Sequence, residues 1–266
     1  SSLFKGENEK INAFPNCRFI ELSENIGRAK IRNRLADESH YPNLLFIDGD
    51  ARVCSGDYIK NYLPYLGTEC AVIGGVSYDP EECDPLYSLR LKYGRKRETF
   101  PSQKRKQKKF NVFTTFNFLI YRPLFEKIRF DETIRSYGHE DTLFGHRLSL
   151  SGCEVRYINN ALIHIGLDVN EIFLQKTEEA VKNLWLLHRT GNYPFLKEES
   201  GLLKKFTYIQ NAGLACFPSF LFKKSSRFMR DQLCGSSPSL FLYDMYRLFF
   251  LCYVSQKDDN LSYIEL

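Results

Sequence analysis

The sequence predicts an α/β fold up to about residue 190, followed by a mostly helical C-terminal extension. Short β-prone segments alternate with helical ones over the first part of the chain. One of them, Leu44–Ile47, is an uninterrupted apolar run that ends in carboxylates and glycine, which is typical of a buried central strand. After Gly191 the composition becomes aromatic and basic, without a clear period.

The individual elements follow in order along the chain. The pattern predicts strands over residues 17–22, 44–47, 70–76, 112–121, 155–158 and 161–165. It predicts helices over residues 27–36, 58–66, 140–151 and 170–189, the second broken by a proline. Gly74 and Gly75 would let another backbone approach their strand closely, and Gly152 stands where a C-terminal helix cap belongs.

The composition limits the class of protein. A chain of 266 residues with 43% hydrophobic content is long enough for one large domain, or for a domain with an extension. Its eight cysteines are scattered, without a Cys-x-x-Cys pair, which argues for reduced thiols in the cytoplasm and against a zinc site. Asp244 and Arg247 interrupt the most apolar C-terminal stretch, so we expect no membrane-spanning helix.

The end of the predicted strand 44–47 carries the first candidate site. Asp48 and Asp50 follow it at the position where α/β sheets bind ligands, and Gly49 between them leaves both carboxylates free to face one crevice. Paired carboxylates suit a hard divalent cation that also holds substrate phosphates. Aspartate and glycine are also ordinary turn residues, so a plain strand-to-turn junction is the alternative.

A second acidic pair, Glu140 and Asp141, opens the predicted helix 140–151. Neighbours on a helix diverge by roughly 100°, so only one of the two can face a given cleft. A carboxylate beside another carboxylate tends toward a raised pKa, as a general base requires. Phe130 and Tyr137 would wall a sugar-sized pocket there. The alternative is an acidic first turn that the helix macrodipole favours.

His164 ends the apolar run 161–163. A lone histidine on an apolar strand is more often a hydrogen-bonded structural residue than a ligand. As a third ligand beside Asp50 it would suit Mn²⁺, and the spacing alone leaves both alternatives open.

Positive charge is concentrated in one segment. The chain has a net charge of +5, but residues 90–109 contain ten Lys or Arg and one Glu, so the rest is mildly acidic. We expect a long loop there, because the segment has no apolar period. A solvated loop is favoured slightly over a flap whose cations contact a diphosphate or an anionic acceptor. Nucleic-acid binding is the third alternative, but a charged segment alone is poor evidence for it, because the rest of the chain is net acidic and no recognition motif accompanies the charge.

The tail from Phe206 to Val254 combines many Phe and Tyr residues with the lysine pairs 204–205 and 223–224. This mixture is compatible with helices that lie on an anionic membrane face. Helices packed on the rest of the chain, or on a second copy, are an equally good explanation.

The order of these motifs resembles that of the family 2 glycosyltransferases, which have the GT-A fold. The resemblance extends from about Ser1 to Asn183, and the Gly-His-Glu-Asp-Thr sequence is similar to that of bacterial members. It implies a GT-A-like catalytic domain over residues 1–190, with a mixed sheet flanked by helices, and a helical extension over residues 191–266. The motifs that carry it are Asn25-x-Gly27, Arg32-Asn33, Asp48-Gly49-Asp50, Asn117, Phe130-Asp131-Glu132, Gly138-His139-Glu140-Asp141 and His164.

On the donor side, the resemblance implies roles for four residues. Arg32 would lie near the nucleotide, and Asp48 would contact its ribose. Asp50 would hold Mn²⁺ or Mg²⁺ against the donor diphosphate. His164 matches a position that approaches the metal in many relatives.

On the acceptor side, the resemblance implies that Asp141 is the base that deprotonates the acceptor hydroxyl. Glu140 or His139 would stand beside it, and Asn117 would lie on the same side of the cleft.

Together these expectations describe an inverting, metal-assisted transfer of sugar from a UDP- or GDP-linked donor. The acceptor would be a glycan or a lipid-linked molecule in surface polysaccharide or glycan synthesis. The expected location is the cytoplasm or, peripherally, the inner face of the membrane. Family members normally begin with two further strands that hold the nucleotide base, and Ser1 resembles the residues just after them. The alternative is therefore an inactive or truncated relative that acts as an interaction module.

Overall fold

The computed structural model describes residues 8–106, 113–134 and 138–257. Its strands are β1 (Asn43–Ile47), β2 (Ala51–Arg52), β3 (Cys70–Ile73), β4 (Val76–Ser77), β5 (Asn117–Tyr121), β6 (Glu154–Tyr157) and β7 (Leu162–His164). They form a four-stranded sheet of order β1-β5-β3-β6 and a three-stranded sheet of order β2-β7-β4. Both sheets are mixed, because β5 runs antiparallel to β1 and β3, β2 runs antiparallel to β7, and the pairs β3–β6 and β4–β7 are parallel.

Helices flank these sheets and make up most of the chain after residue 165. The α-helices are α1 (Arg28–Glu38), α2 (Ser88–Arg97), α3 (Ser102–Lys106), α4 (Arg122–Ile128), α5 (Glu140–Leu150), α6 (Asn170–Thr190), α7 (Leu196–Glu199), α8 (Gly201–Asn211), α9 (Cys216–Leu233) and α10 (Leu240–Gln256). Short 3₁₀ helices cover Glu9–Ala13, Lys60–Tyr65 and Pro85–Tyr87. The predicted α/β class with a helical extension is thus confirmed.

The position of β1 differs from the prediction of a buried central strand. Within the described residues, β1 pairs with β5 and lies at the edge of its sheet. Leu44 and Phe46 are buried, whereas Ile47 is 43% exposed. Leu45, on the other face of the strand, is half-buried and packs against a smaller apolar cluster, so the apolar run reflects packing on both faces of an edge strand.

Two further predictions about local structure were wrong, and one was correct in part. Residues 17–22 form no regular strand. The helix predicted over residues 58–66 is present as a short 3₁₀ helix that contains Pro64. The predicted basic loop is helical in α2 and α3, while residues 107–109 lie outside the described part. Helix α2 is stabilised by burial of Leu89 and Leu91 on two of its sides, and the helix macrodipole favours the cations in its last turn.

Two large apolar clusters organise the packing. One lies between the four-stranded sheet and helices α1, α4 and α5. The other joins α2, α5 and α6 to the C-terminal helices α8, α9 and α10, with Trp185 and Tyr246 among its buried residues. Because this second cluster crosses residue 190, the division into domains 1–190 and 191–266 stays a prediction. No helix in the described ranges is long and apolar enough to cross a membrane.

The close backbone approach predicted at the end of β3 is found at Gly74. A Cβ atom there would lie 2.3 Å from the Tyr62 hydroxyl, 2.4 Å from Asn117 Nδ2 and 2.6 Å from the Asn160 carbonyl oxygen. A side chain at this position would have to displace these three buried polar groups, so the position requires glycine.

Candidate functional site

Helix α1, the end of β1 and the start of α5 meet at the side chain of Arg32. Its Nη2 donates a hydrogen bond to Asp48 Oδ1 at 2.9 Å, and its Nη1 donates to Glu140 Oε1 at 3.4 Å. Arg32 and Glu140 are only 6% and 5% exposed. Arg28, one turn earlier on the same helix face, reaches Glu140 Oε1 from the solvent side at 3.7 Å. These contacts join sequence segments that are more than 100 residues apart.

The motifs around α1 also support each other structurally. Asn25 Oδ1 accepts a hydrogen bond from the Gly27 N–H, which helps to begin the helix. Asn33 is buried and pairs with the Phe130 backbone in both directions, at 3.0 and 3.1 Å. Its Nδ2 also donates to Glu132 Oε1 at 2.8 Å. The segment 130–132 is thereby fixed against α1, which places the chain that leads toward α5.

Asp141 occupies the first turn of α5 beside Glu140. Burial raises its pKa most, and the neighbouring Glu140 carboxylate raises it further, to about 6. The Thr142 N–H and the charges of Arg32 and Arg28 act in the opposite direction. Asp141 is therefore ionised at neutral pH and yet more basic than an ordinary aspartate.

Asp50 is placed by the pairing of β2 with β7, in which Ala51 stands opposite His164. Its Oδ2 accepts a hydrogen bond from His164 Nε2 at 3.0 Å. Burial opposes ionisation of Asp50, but the hydrogen bond from His164, together with the charge of Arg28, outweighs it and lowers the pKa. A Cβ atom at Gly166 would lie 2.5 Å from Asp50 Cβ, so the approach of this segment to Asp50 requires glycine.

The two acidic pairs predicted from the sequence are thus brought together. Arg32 bridges Asp48 and Glu140, and the charge of Arg28 acts on both Asp50 and Asp141. We call the four carboxylates with these two arginines the acidic cluster. Asp48 and Asp50 retain partial exposure, with 29% and 43% of their side chains accessible, so a ligand can reach them.

The hydrogen bonds of His164 define its tautomer. Arg90 Nη2 lies 3.3 Å from His164 Nδ1, and a guanidinium can only donate, so Nδ1 is an acceptor. The proton of the neutral ring is then on Nε2, where it is donated to Asp50 Oδ2. Arg90 is 9% exposed, is paired with Glu98 at 3.0 Å, and lies over the rings of Tyr78 and Phe173. The partners of Arg90 hold it in this position.

Of the two side chains predicted to bind a divalent metal, Asp50 is suited to this role, whereas His164 is not in its present position. A ligating histidine needs a free lone pair on the metal-bound nitrogen, and Arg90 already takes the lone pair of the other nitrogen of His164. His164 can therefore ligate a metal only if Arg90 moves. Asp50 offers the more accessible of the two aspartate carboxylates, and Mg²⁺-type sites can rest on one or two carboxylates plus substrate phosphates. Within the described ranges, no group of three His, Cys, Asp or Glu side chains could hold a metal by itself.

Asn117 does not face a cleft. It is 0% exposed, and its Oδ1 accepts hydrogen bonds from the hydroxyls of Tyr58 and Tyr62 at 2.6 and 2.7 Å. Its Nδ2 donates to the carbonyl oxygens of Gly75 and Asn160. All the hydrogen-bonding capacity of this amide is used inside the protein, so its predicted place on the acceptor side is corrected to a buried structural one.

His139 begins α5 in the left-handed region, with a φ of 74°, after Gly138 at 95°. Its Nε2 lies 3.0 Å from the Ala180 carbonyl oxygen, to which it donates. Burial lowers its pKa, so the ring is neutral. It borders a cavity of about 170 Å³ whose wall includes Tyr93, Phe173 and Arg247. Tyr137, predicted to wall a sugar pocket, lies outside the described residues.

A second cavity, of about 280 Å³, opens at the beginning of α1. It is lined by residues 19–22, 24–28 and 31, so it includes Arg28 of the acidic cluster and the motif Asn25-x-Gly27.

Three residues of the site were not singled out from the sequence. Arg28 could have been found from its spacing of four residues before Arg32 on a helix. Gly166 could have been considered because it follows the candidate residue His164 by only two positions. Arg90 gave no such signal, because its partner His164 is 74 residues away and meets it only through the packing of α2 against the rest of the chain.

Comparison with known proteins gives limited similarities. No family model matches the chain. A stretch of 125 residues is 30% identical to a teichoic acid poly(glycerol phosphate) polymerase of Staphylococcus epidermidis, and the match covers 46% of this chain but 17% of the polymerase. The chain also superposes on the mannosyltransferase PcManGT from Pyrobaculum calidifontis, solved in complex with GDP-Man and Mn²⁺. That superposition has a TM-score of 0.48 and 13% identity over 92% of this chain and 70% of that chain.

Neither of these similarities establishes the function of the chain. The superposition is too loose, and the identity too low, to carry an argument about function. The sequence match to the polymerase involves less than a fifth of that protein, so the activity of the whole polymerase does not transfer to this chain. Membership of glycosyltransferase family 2 and the GT-A fold stay predictions.

Proposed function

We propose that this chain is a glycosyltransferase that moves a sugar from a nucleoside diphosphate donor to an acceptor hydroxyl, with inversion and with help from a divalent cation. The observation that carries the proposal is the acidic cluster. Asp48 and Asp50 from the β1 end and Glu140 and Asp141 from α5 converge around two arginines, although the two pairs are about 90 residues apart in sequence.

On the donor side, Asp50 is the group we assign to the metal. Its pKa is lowered, so it stays a carboxylate, and its exposed edge leaves room for phosphate oxygens beside the cation. A bound Mn²⁺ or Mg²⁺ supplies positive charge that stabilises the departing nucleoside diphosphate. Asp48 is oriented by Arg32 and takes the ribose hydroxyls, and the cavity at residues 19–28 is available for the rest of the nucleoside.

On the acceptor side, Asp141 acts as the general base. With its pKa near 6, it is ionised at neutral pH and accepts the proton of the acceptor hydroxyl. The hydroxyl oxygen forms a bond to the anomeric carbon while the bond from that carbon to the diphosphate oxygen breaks. One displacement of this kind inverts the anomeric centre. Glu140, held between Arg28 and Arg32, fixes the first turn of α5 and keeps the pKa of Asp141 high.

The acceptor that we propose is a glycan or a lipid-linked molecule of cell-surface polymer synthesis. The similarity to part of a teichoic acid polymerase is in keeping with such an acceptor. Reaction in the cytoplasm, at or near the inner face of the membrane, fits the eight free cysteines and the nucleotide donor.

Titration calorimetry of UDP and GDP, with and without Mn²⁺, tests the donor half of this proposal. We expect metal-dependent binding of at least one nucleotide, weakened roughly 100-fold or more in Asp50→Ala, because the only assigned carboxylate ligand is lost. Asp57→Ala is the control, since Asp57 is an exposed aspartate outside the acidic cluster and its loss leaves binding unchanged. Equal affinities in Asp50→Ala would remove Asp50 from the metal site. No nucleotide binding under any condition would favour an inactive relative that acts as an interaction module.

A further inference from the structure

Helix α9 is apolar on two opposite faces. Phe222, Met229 and Leu233 are buried, and Phe222 packs against the rings of Tyr246 and Phe250 on α10. That face accounts for the docking of α9 onto the protein. The opposite face also carries large apolar side chains, and the packing of the described residues does not cover them.

The large side chains on the exposed side of α9 are regularly spaced along the helix. Phe217, Phe220, Lys224 and Phe228 follow at intervals of three and four residues, so they form one stripe along the helix. The three phenylalanines are 63%, 55% and 64% exposed. Single exposed apolar residues are normal on protein surfaces, but three large aromatic side chains aligned on one helix face indicate an interaction surface. We call this stripe the phenylalanine face.

Cations accompany the phenylalanine face. Lys223, Lys224 and Arg227 are exposed on the same helix, and Lys224 Nζ lies 6.0 Å from the centre of the Phe220 ring. Asp231 is the single exposed acid of α9, so the exposed side of this helix carries a net charge of +2. A surface of large aromatic side chains edged by cations is chemically matched to an anionic lipid surface. The rings enter the boundary of the acyl chains, and the cations meet the headgroups.

Two other binding partners, a second copy of the chain and a nucleic acid, fit the phenylalanine face less well. A symmetric dimer through this face would bring the three cations of one copy against those of the other, because a two-fold interface uses the same patch twice. Single-stranded nucleic acid is usually held in a positively charged groove, whereas these rings stand on the outside of one helix.

We propose that this protein binds the surface of an anionic lipid bilayer through the phenylalanine face of α9, with Lys223, Lys224 and Arg227 at the headgroups. The proposal goes beyond the transferase function, since it concerns a surface outside the acidic cluster. Its physical consequence is that the described part of the chain works at the membrane surface.

Co-sedimentation of the full chain with lipid vesicles tests this proposal. We expect binding to vesicles of equal parts phosphatidylglycerol and phosphatidylcholine, and much weaker binding to phosphatidylcholine alone. Phe217→Ser/Phe220→Ser/Phe228→Ser is expected to lower the partition coefficient by roughly 100-fold. Replacing the three cations by Gln is expected to cost about fivefold for each, on the anionic vesicles only.

The matched control is Leu63→Ser/Leu86→Ser/Leu150→Ser. These leucines are 54%, 59% and 75% exposed and belong to other elements, so the variant removes comparable apolar surface without touching α9. Vesicle binding by this control is expected to equal that of the unmodified protein. The proposal is overturned if the unmodified protein ignores anionic vesicles, or if both triple variants bind equally. Sedimentation velocity identifies a self-association face if the phenylalanine variant turns a dimer into a monomer.

A second measurement does not depend on a triple substitution. Phe220→Trp keeps a large aromatic ring on the phenylalanine face, and the single native Trp185 is buried, so its signal can be subtracted. We expect a blue shift of the new tryptophan emission when anionic vesicles are added, because the indole leaves water. Leu150→Trp is the control and is expected to show no shift. An unshifted Phe220→Trp spectrum in the presence of bound vesicles would place the contact elsewhere and overturn the proposal.

Discussion

Asp50 and Asp141 belong to one acidic cluster, and both are partly buried, but their pKa values move in opposite directions. Burial raises the pKa of each. At Asp50, the hydrogen bond from His164 and the charge of Arg28 more than offset burial, so the pKa falls. At Asp141, the Glu140 carboxylate adds to burial, and the pKa rises to about 6.

The comparison shows which neighbour makes the difference. Arg28 lowers the pKa of both carboxyl groups, so it does not separate them. The separation comes from one hydrogen-bond donor beside Asp50 and one like charge beside Asp141. A carboxylate that stays ionised suits a cation, and a carboxylate with a raised pKa suits proton transfer. The same residue type therefore gains two roles from its surroundings, and the substitutions below test Asp141 and the neighbours that separate the two pKa values.

The largest expected effect is on the base. Asp141→Asn keeps the size of the side chain and cannot accept the acceptor proton, so we expect sugar transfer to fall by roughly 10²- to 10⁴-fold. Nucleotide binding with Mn²⁺ is expected to change by less than about threefold, because Asp50 and Asp48 are untouched. Single-turnover rates and calorimetry measure the two quantities separately. Retained turnover would show that Asp141 is not the base.

The same substitution has a second, independent consequence for stability. A carboxyl group whose pKa is higher in the folded than in the unfolded state destabilises the fold progressively as pH rises from about 4 to the folded value near 6. Asp141→Asn removes this cost, so we expect it to raise the free energy of unfolding at pH 7.5 by about 1–2 kcal/mol. At pH 3.5 the gain should vanish, which urea denaturation at both pH values can check.

The pKa of Asp141 itself tests the influence of Glu140. Removing the charge in Glu140→Gln takes away a like charge and leaves Arg28 and Arg32 less neutralised, and both changes lower the pKa of Asp141. The acid limb of kcat/KM should move to lower pH, so activity at pH 5 relative to pH 7.5 should rise, by roughly tenfold for each pH unit that the limb moves. A limb that stays in place or moves upward would mean that another group controls it.

The sequence predicted the fold class and most element positions, because the relevant signals were local. The helix 170–189 and the start of α5 at Glu140 follow from helical periodicity and from an acidic first turn. The basic segment was predicted wrongly as a loop, because its cations are paired with distant residues. Arg97, for example, forms two hydrogen bonds of 2.7 Å with Asp244 on α10, and no local pattern reveals such a partner.

At the candidate site, too, the sequence did not reveal contacts between residues that are distant in the chain. The order of motifs identified the four carboxylates and His164, and the structure brings them together. Asn117 was misplaced because an amide on a β-prone segment looks the same whether it faces a cleft or, as here, the hydroxyls of Tyr58 and Tyr62. The proton position on His164 depends on Arg90, which is 74 residues away, so the sequence could not decide between a metal ligand and a structural partner.

The smallest expected effect comes from His164→Gln. If His164 orients Asp50 rather than binding the cation, glutamine can replace it, because its amide N–H donates to Asp50 and its carbonyl oxygen accepts from Arg90. Mn²⁺-dependent nucleotide binding should then weaken by less than about threefold, far less than in Asp50→Ala. Long-range ¹H–¹⁵N NMR should show the ring of His164 with its proton on Nε2, assigned by the signals that disappear in His164→Gln. A proton on Nδ1, or a loss of binding as large as in Asp50→Ala, would make His164 a metal ligand. Arg90 would then have to leave its place between Tyr78 and Phe173 when the metal binds, so the lowered pKa of Asp50 would depend on the cation rather than on the imidazole.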